Sequence, residues 1–172
     1  MTNALLQLHP SPHQEVPLQG LYLQQKLHQL GNSGTPFVYA NFLSSLDGRI
    51  ALTNPVTGQS TTPEALTTPS DFRLFLELHA QADCLITHGG YMRALAEKRL
   101  GNILTLNTRS EHADLIHWRK ENKLPKQPAL VIASASPHFP IPKELESRKE
   151  SIFIATGRNA PPERINAWQK KG

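Results

Sequence analysis

Apolar residues along the chain alternate between short runs and spaced stripes, and each pattern predicts a different element. Phe37–Leu43 is rich in β-forming residues and predicts a strand. Cys84–Thr87, Ala129–Ala133 and Ser151–Ala155 are further apolar runs. The uniformly apolar Ala129–Ala133 run predicts a strand covered on both faces, and Ser151–Ala155 is similar. Helical spacing lies between these runs. Thr68 caps a helix start, Pro69 suits its first position and Asp71 its third, and Phe72, Phe75, Leu76 and His79 then share one stripe. Further helices are predicted from Tyr91 to about Leu100, ended by Gly101, from Glu111 to Asn122, and from Pro161 to Lys171. Strands alternating with helices imply an α/β architecture, a layered sandwich with a mixed, mainly parallel sheet flanked by helices.

Residues 1–35 read as an extension to a main domain over 36–172. His9-Pro10-Ser11-Pro12 is turn-like. Leu23, Leu27 and Leu30 give Leu18–Leu30 helical spacing, which Gly31-Asn32-Ser33-Gly34 ends. Thr53–Thr68 is rich in Thr, Pro, Gly and Ser, and a loop of that length is usually functional or mobile.

Composition narrows the class of protein. The 172 residues suffice for one domain with a real core, and no run is long enough to span a membrane. No leader pattern opens the chain, and the single cysteine, Cys84, fits a reducing cytosol. Its place in an apolar run predicts core packing. The net charge is +4, which suits an anionic partner. The basic residues are scattered, however, with only short pairs such as Lys98-Arg99, so a nucleic-acid surface is not expected. No histidine spacing supplies three or four metal ligands, so no metal site is expected either.

Candidate chemistry sits at the strand ends. Ser44, His88-Gly89-Gly90, Ser134 and Thr156-Gly157 each follow an apolar run, and open α/β sheets bind ligands beyond the carboxyl ends of their strands. Gly89 and Gly90 either admit a ligand close to the backbone or merely form a tight turn. The helix after them offers free N–H groups and a positive dipole end to phosphate. Asp47, before Gly48, is either a turn former or a polar anchor beside a substrate ring.

Several segments together resemble the pyrimidine reductase family of riboflavin biosynthesis. They are Pro36-Phe37-Val38-Tyr39, Ser45-Leu46-Asp47-Gly48-Arg49-Ile50-Ala51, Asp71-Phe72-Arg73-Leu74, Ala80-Gln81-Ala82-Asp83 and Pro128–Ser134. The Ser-Leu-Asp-Gly-Arg segment after a strand is the most specific of them. The resemblance spans about Pro36 to Gly157. It implies a dihydrofolate-reductase-like sheet and NADPH-dependent hydride transfer, in the family to a phosphoribosylamino-pyrimidine whose ribose opens to a ribityl chain. By position, Ser44, Thr62, Tyr91 and Ser134 would lie by the cofactor, Ser60 by the substrate, and His79 stands where the family has a substrate-contacting arginine. Asp47 would serve catalysis.

Departures accompany the resemblance. Leu95 stands near a usual aspartate, and Gly101–Asn107 replaces a segment whose arginine only Arg109 would restore. The family continues into further strands and a glycine-pair loop that grips the cofactor pyrophosphate. The resemblance therefore implies a C-terminally incomplete reductase of weak turnover, with an open sheet edge that favours a homodimer. The alternative is a non-catalytic module that binds a nucleotide or needs a partner.

Overall fold

The computed structural model describes residues 4–58, 60–106 and 110–170. Arg109 lies outside them, as do the side chains of Thr61, Glu64 and Ser110. The chain forms two compact units, Met1–Gln81 and Ala82–Gly172. The sequence boundary at Pro36 falls inside the first.

In the first unit, β1 (Ala4–Gln7) and β2 (Gln14–Pro17) pair antiparallel around the turn-like prolines. The short ladder of β3 (Leu52–Thr53) and β4 (Ser60–Thr61) lies within the long loop. Helix α1 (Pro69–Gln81) starts where its cap signals placed it, and the Asp71 N–H donates to Thr68 Oγ1 at 3.1 Å. The buried side of α1 differs from the expected stripe. Leu76 and His79 are buried but Phe72 is exposed, and a polar row of Arg73, Glu77 and Gln81 is buried with them.

That polar row explains why Leu18–Leu30 is not an α-helix. The Glu77 carboxylate accepts the N–H groups of Gly20 at 2.6 Å and Tyr22 at 2.9 Å, and Arg73 Nε pairs with it at 3.0 Å. Gln81 accepts the Leu27 N–H at 2.8 Å and donates to the Tyr22 carbonyl at 2.9 Å. Side chains of α1 thus take backbone groups of the segment, leaving two 3-10 turns, Leu23–Gln25 and Leu27–Gln29, divided by Lys26 at φ +50°.

Among the described residues the expected strand Phe37–Leu43 joins no sheet, and its Tyr39 hydroxyl instead donates to the Leu78 carbonyl at 2.7 Å. It runs without regular structure, with Val38 74% and Phe42 72% exposed. Strand propensity reports fit to a pleated, half-buried surface, and no described strand pairs with this segment.

The second unit is a three-stranded sheet in the order β5 (Cys84–His88), β6 (Ala129–Ala133), β7 (Ile152–Ala155), all parallel. Its helices are α2 (Gly89–Ala96), α3 (Ala113–Glu121), α4 (Lys143–Glu146) and α5 (Pro162–Gln169). Helix α2 ends well before Gly101. Lys98 adopts φ +58° after it, and the N–H groups of Arg99 and Leu100 return to the Ala94 carbonyl.

Leu130 and Ile132 face a core with Met92, Leu95, Phe139 and Leu145, against which Leu85, Ile152, Ile154 and Trp168 pack. The other face of the sheet is open, contrary to the expectation of strands covered on both sides. Register aligns Ile86, Val131 and Phe153 across it, with Ile86 70% and Phe153 58% exposed. Cys84 shares this face and is exposed rather than packed in the core. Partial burial still pushes its thiol pKa up, with the Asp83 charge adding and a backbone hydrogen bond at Val131 opposing.

At the amino end of the sheet two buried arginines tie loops together. Arg119 donates to the carbonyls of Ala82 at 2.8 Å and Pro125 at 2.6 Å, and Arg148 donates to Leu104 at 2.7 Å and to Pro128. Desolvation lowers the Arg148 pKa from its ordinary value.

Candidate cofactor site at the carboxyl end of the sheet

Strand β5 passes into α2 without an intervening loop, so the turn must be made by residues without bulk. A Cβ on Gly89 would stand 2.8 Å from both Ser134 Oγ and Phe139 Cδ1, and one on Gly90 would stand 2.9 Å from His88 Nδ1. Internal packing by itself therefore requires Gly89, whereas at Gly90 the neighbour is the exposed His88 side chain, which can give way. His88 caps the helix, its Nδ1 accepting the Tyr91 N–H at 3.3 Å.

Around this turn the structure gathers Ser134 and Thr156 from the ends of β6 and β7. The Ser134 N–H donates to the Ala155 carbonyl at 2.9 Å and its hydroxyl to Ser136 at 2.6 Å, while the Thr156 hydroxyl donates to Ala135 at 3.4 Å. These donations stitch the loop after β6. Each hydroxyl keeps acceptor capacity for a ligand donor.

Tyr91 follows the glycine pair in the first turn of α2. Its hydroxyl donates to the Gly101 carbonyl at 2.5 Å and accepts the Ile103 N–H at 3.1 Å, pinning the chain after α2. Burial raises its pKa, and the Ile103 hydrogen bond opposes the rise.

Sequence reading passed over Arg93. It lies one turn into α2, its Nη1 donates to the His138 carbonyl at 3.2 Å, and its Nη2 stands 3.8 Å from the Cβ position of Gly90. The first turn of α2 carries no acidic residue. A guanidinium and a helix amino terminus are thus adjacent, and both favour an anion. The one available signal was spacing: Arg93 follows the glycine pair by three residues.

Beside the outer edge of β7 opens a groove of about 800 Å3, with Ile152, Ile154, Thr156, Ile165 and Trp168 in its lining. The Trp168 indole N–H donates to the Pro137 carbonyl at 2.8 Å, and its ring stacks on Phe139 at 5.3 Å. Thr156 links this apolar groove to the polar strand ends.

The other expected site residues belong to the first unit. Ser44 is exposed. Asp47 lies in an exposed turn, bonded to the Ser45 hydroxyl and paired with Arg49 at 3.2 Å, with Gly48 at φ +80°. Ser60 shares a hydroxyl hydrogen bond with Thr53 at 3.0 Å, and the Thr62 hydroxyl donates to the Ile50 carbonyl at 3.3 Å. His79 is 3% exposed, edge-on to Phe75 with ring centroids 6.2 Å apart. Among the described residues no group of three or more potential metal ligands is clustered. No described helix is long and apolar enough to cross a membrane.

What these features define is an α/β unit whose parallel sheet ends in an anion-compatible turn beside an apolar groove. No known family model matches the chain, and no curated protein matches it.

Proposed function

We propose that the second unit binds NADPH and that the protein is an NADPH-dependent reductase of the kind implied by its resemblance to riboflavin-pathway pyrimidine reductases. The observation that carries the reading is the meeting of the α2 amino terminus, Arg93, Ser134 and Thr156 at one end of a parallel sheet. Bound there, the cofactor supplies a hydride. Arg93 and the helix terminus balance phosphate charge. The hydroxyls of Ser134 and Thr156 accept amide or ribose donors. The groove lined by Ile154 and Trp168 takes a flat ring and excludes water from it. The substrate implied by the family resemblance is a phosphoribosylamino-pyrimidine or a related compound.

The test is a fluorescence titration with NADPH, followed by turnover assays on pyrimidine substrates. The intact protein is expected to bind, and Arg93→Glu to weaken binding by about tenfold or more, since hydrogen bonds to charged groups contribute about 1.5–3 kcal/mol. Wild-type protein that ignores NADPH would overturn the reading.

A second reading is a nucleotide-binding module without catalysis that depends on a partner. The open sheet face around Ile86 and Phe153 favours it. NADPH binding with no turnover on any pyrimidine would select this reading over the first.

A further inference from the structure

Helix α3 and the turn after it form a second groove, of about 660 Å3, at the other end of the second unit's sheet. Ile116, Leu124 and Pro125 give it an apolar lining, and the exposed Lys120, Lys123 and Lys126 line it as well, with His117. Lysines near a helix carboxyl end can bond the last carbonyls. Here backbone donors already do that. The N–H groups of Asn122, Lys123 and Leu124 go to the carbonyls of Trp118, Lys120 and Arg119 at 3.0, 3.1 and 2.9 Å. Asn122 Nδ2 adds a bond to the Trp118 carbonyl at 2.8 Å.

Nor does a carboxylate answer the lysines. The nearest along the helix, Glu121, pairs with His117 at 3.0 Å. Among the described residues none of the three ammonium groups has a hydrogen bond or an ion pair. Lys123 moreover holds φ +59°, a conformation that glycine adopts at lower cost. Three like charges thus surround an apolar lining with no internal partner.

We propose that this groove binds a small ligand with an apolar body and a phosphate or carboxylate group, the apolar part against Ile116 and Leu124 and the anion among the lysines. The volume lies within the range of small-molecule sites. This site is separate from the proposed cofactor site, so it stands or falls independently of the reductase reading.

The experiment titrates the full chain with phenyl phosphate and benzoate, followed by backbone amide NMR, with inorganic phosphate and phenol as controls. Phenyl phosphate, benzoate or both are expected to shift the amides of Ile116, Lys123 and Leu124, with neither control doing so at equal concentration. The triple variant K120Q/K123Q/K126Q, checked for folding by circular dichroism, is expected to bind about tenfold more weakly, as loss of exposed ion pairs predicts. Equal shifts from inorganic phosphate alone would overturn the proposal, as would equal shifts from phenol. Affinity unchanged in the folded triple variant would also overturn it. If that variant does not fold, the single substitution L124N, expected to weaken binding of the apolar body, supplies the same decision.

Discussion

At the scale of single residues, backbone conformation and close packing decide more than chemistry does. Lys98 ends α2 at φ +58°, where an L side chain crowds its own carbonyl. Lys98→Gly is therefore expected to stabilise the protein by about 0.5–1 kcal/mol, read as a raised urea midpoint. Gly89 is the opposite case, because a methyl group there meets Ser134 and Phe139 at 2.8 Å. Gly89→Ala should cost about 1–3 kcal/mol in the same assay, the usual penalty of overpacking. Tyr91 adds a pH signature. Its folded pKa is raised, so its stabilisation is full below the unfolded value near ~10 and is lost as pH climbs through the folded value. Tyr91→Phe should remove that share of the alkaline loss above pH ~10, at a neutral-pH cost of about 1–2 kcal/mol from its hydrogen bonds. Of these residues the sequence marked the glycine pair and Tyr91 for a ligand. It gave no sign that Phe139, 50 positions from Gly89, fills the space.

Among the elements, those written in local code were the legible ones. Helix α1 begins where Thr68, Pro69 and Asp71 placed it, because a cap acts within one turn. Strands β5, β6 and β7 coincide with three of the four apolar runs. Phe37–Leu43 failed as a strand because pairing is a distant event that propensity does not encode. The polar row of α1 was hidden for another reason. Arg73, Glu77 and Gln81 are residue types that ordinarily face water, and only backbone from residues 20–27 makes theirs a buried row. Removing Glu77 should take from the buried Arg73 and from two amides the carboxylate that they share. Glu77→Ala is expected to cost about 3–5 kcal/mol, and hydrogen exchange should show the Gly20 and Tyr22 amides losing protection first.

For the molecule as a whole, the open face of the parallel sheet is the feature with most bearing on behaviour in solution. Parallel sheets are normally covered on both sides, and this one presents Ile86 and Phe153. Replacing both by threonine should change stability by no more than about 0.5 kcal/mol, the range of surface substitutions. It should lower binding of a hydrophobic dye and self-association measured by sedimentation. A large loss of stability would mean that this face is covered in solution. The sequence pointed to strands buried on both sides because a near-continuous apolar run carries no mark of which side is dry.

The hold of α1 on the first residues sets a timetable for synthesis. Gly20 and its acceptor Glu77 are 57 positions apart. At about 5–20 residues per second the ribosome delivers Glu77 roughly 3–11 s after Gly20. During that interval the amides of Gly20, Tyr22 and Leu27 bond to water, and the two short turns have nothing to fix them. The segment made early in the chain therefore takes its final form late, when α1 arrives with the carboxylate and the amide that hold it.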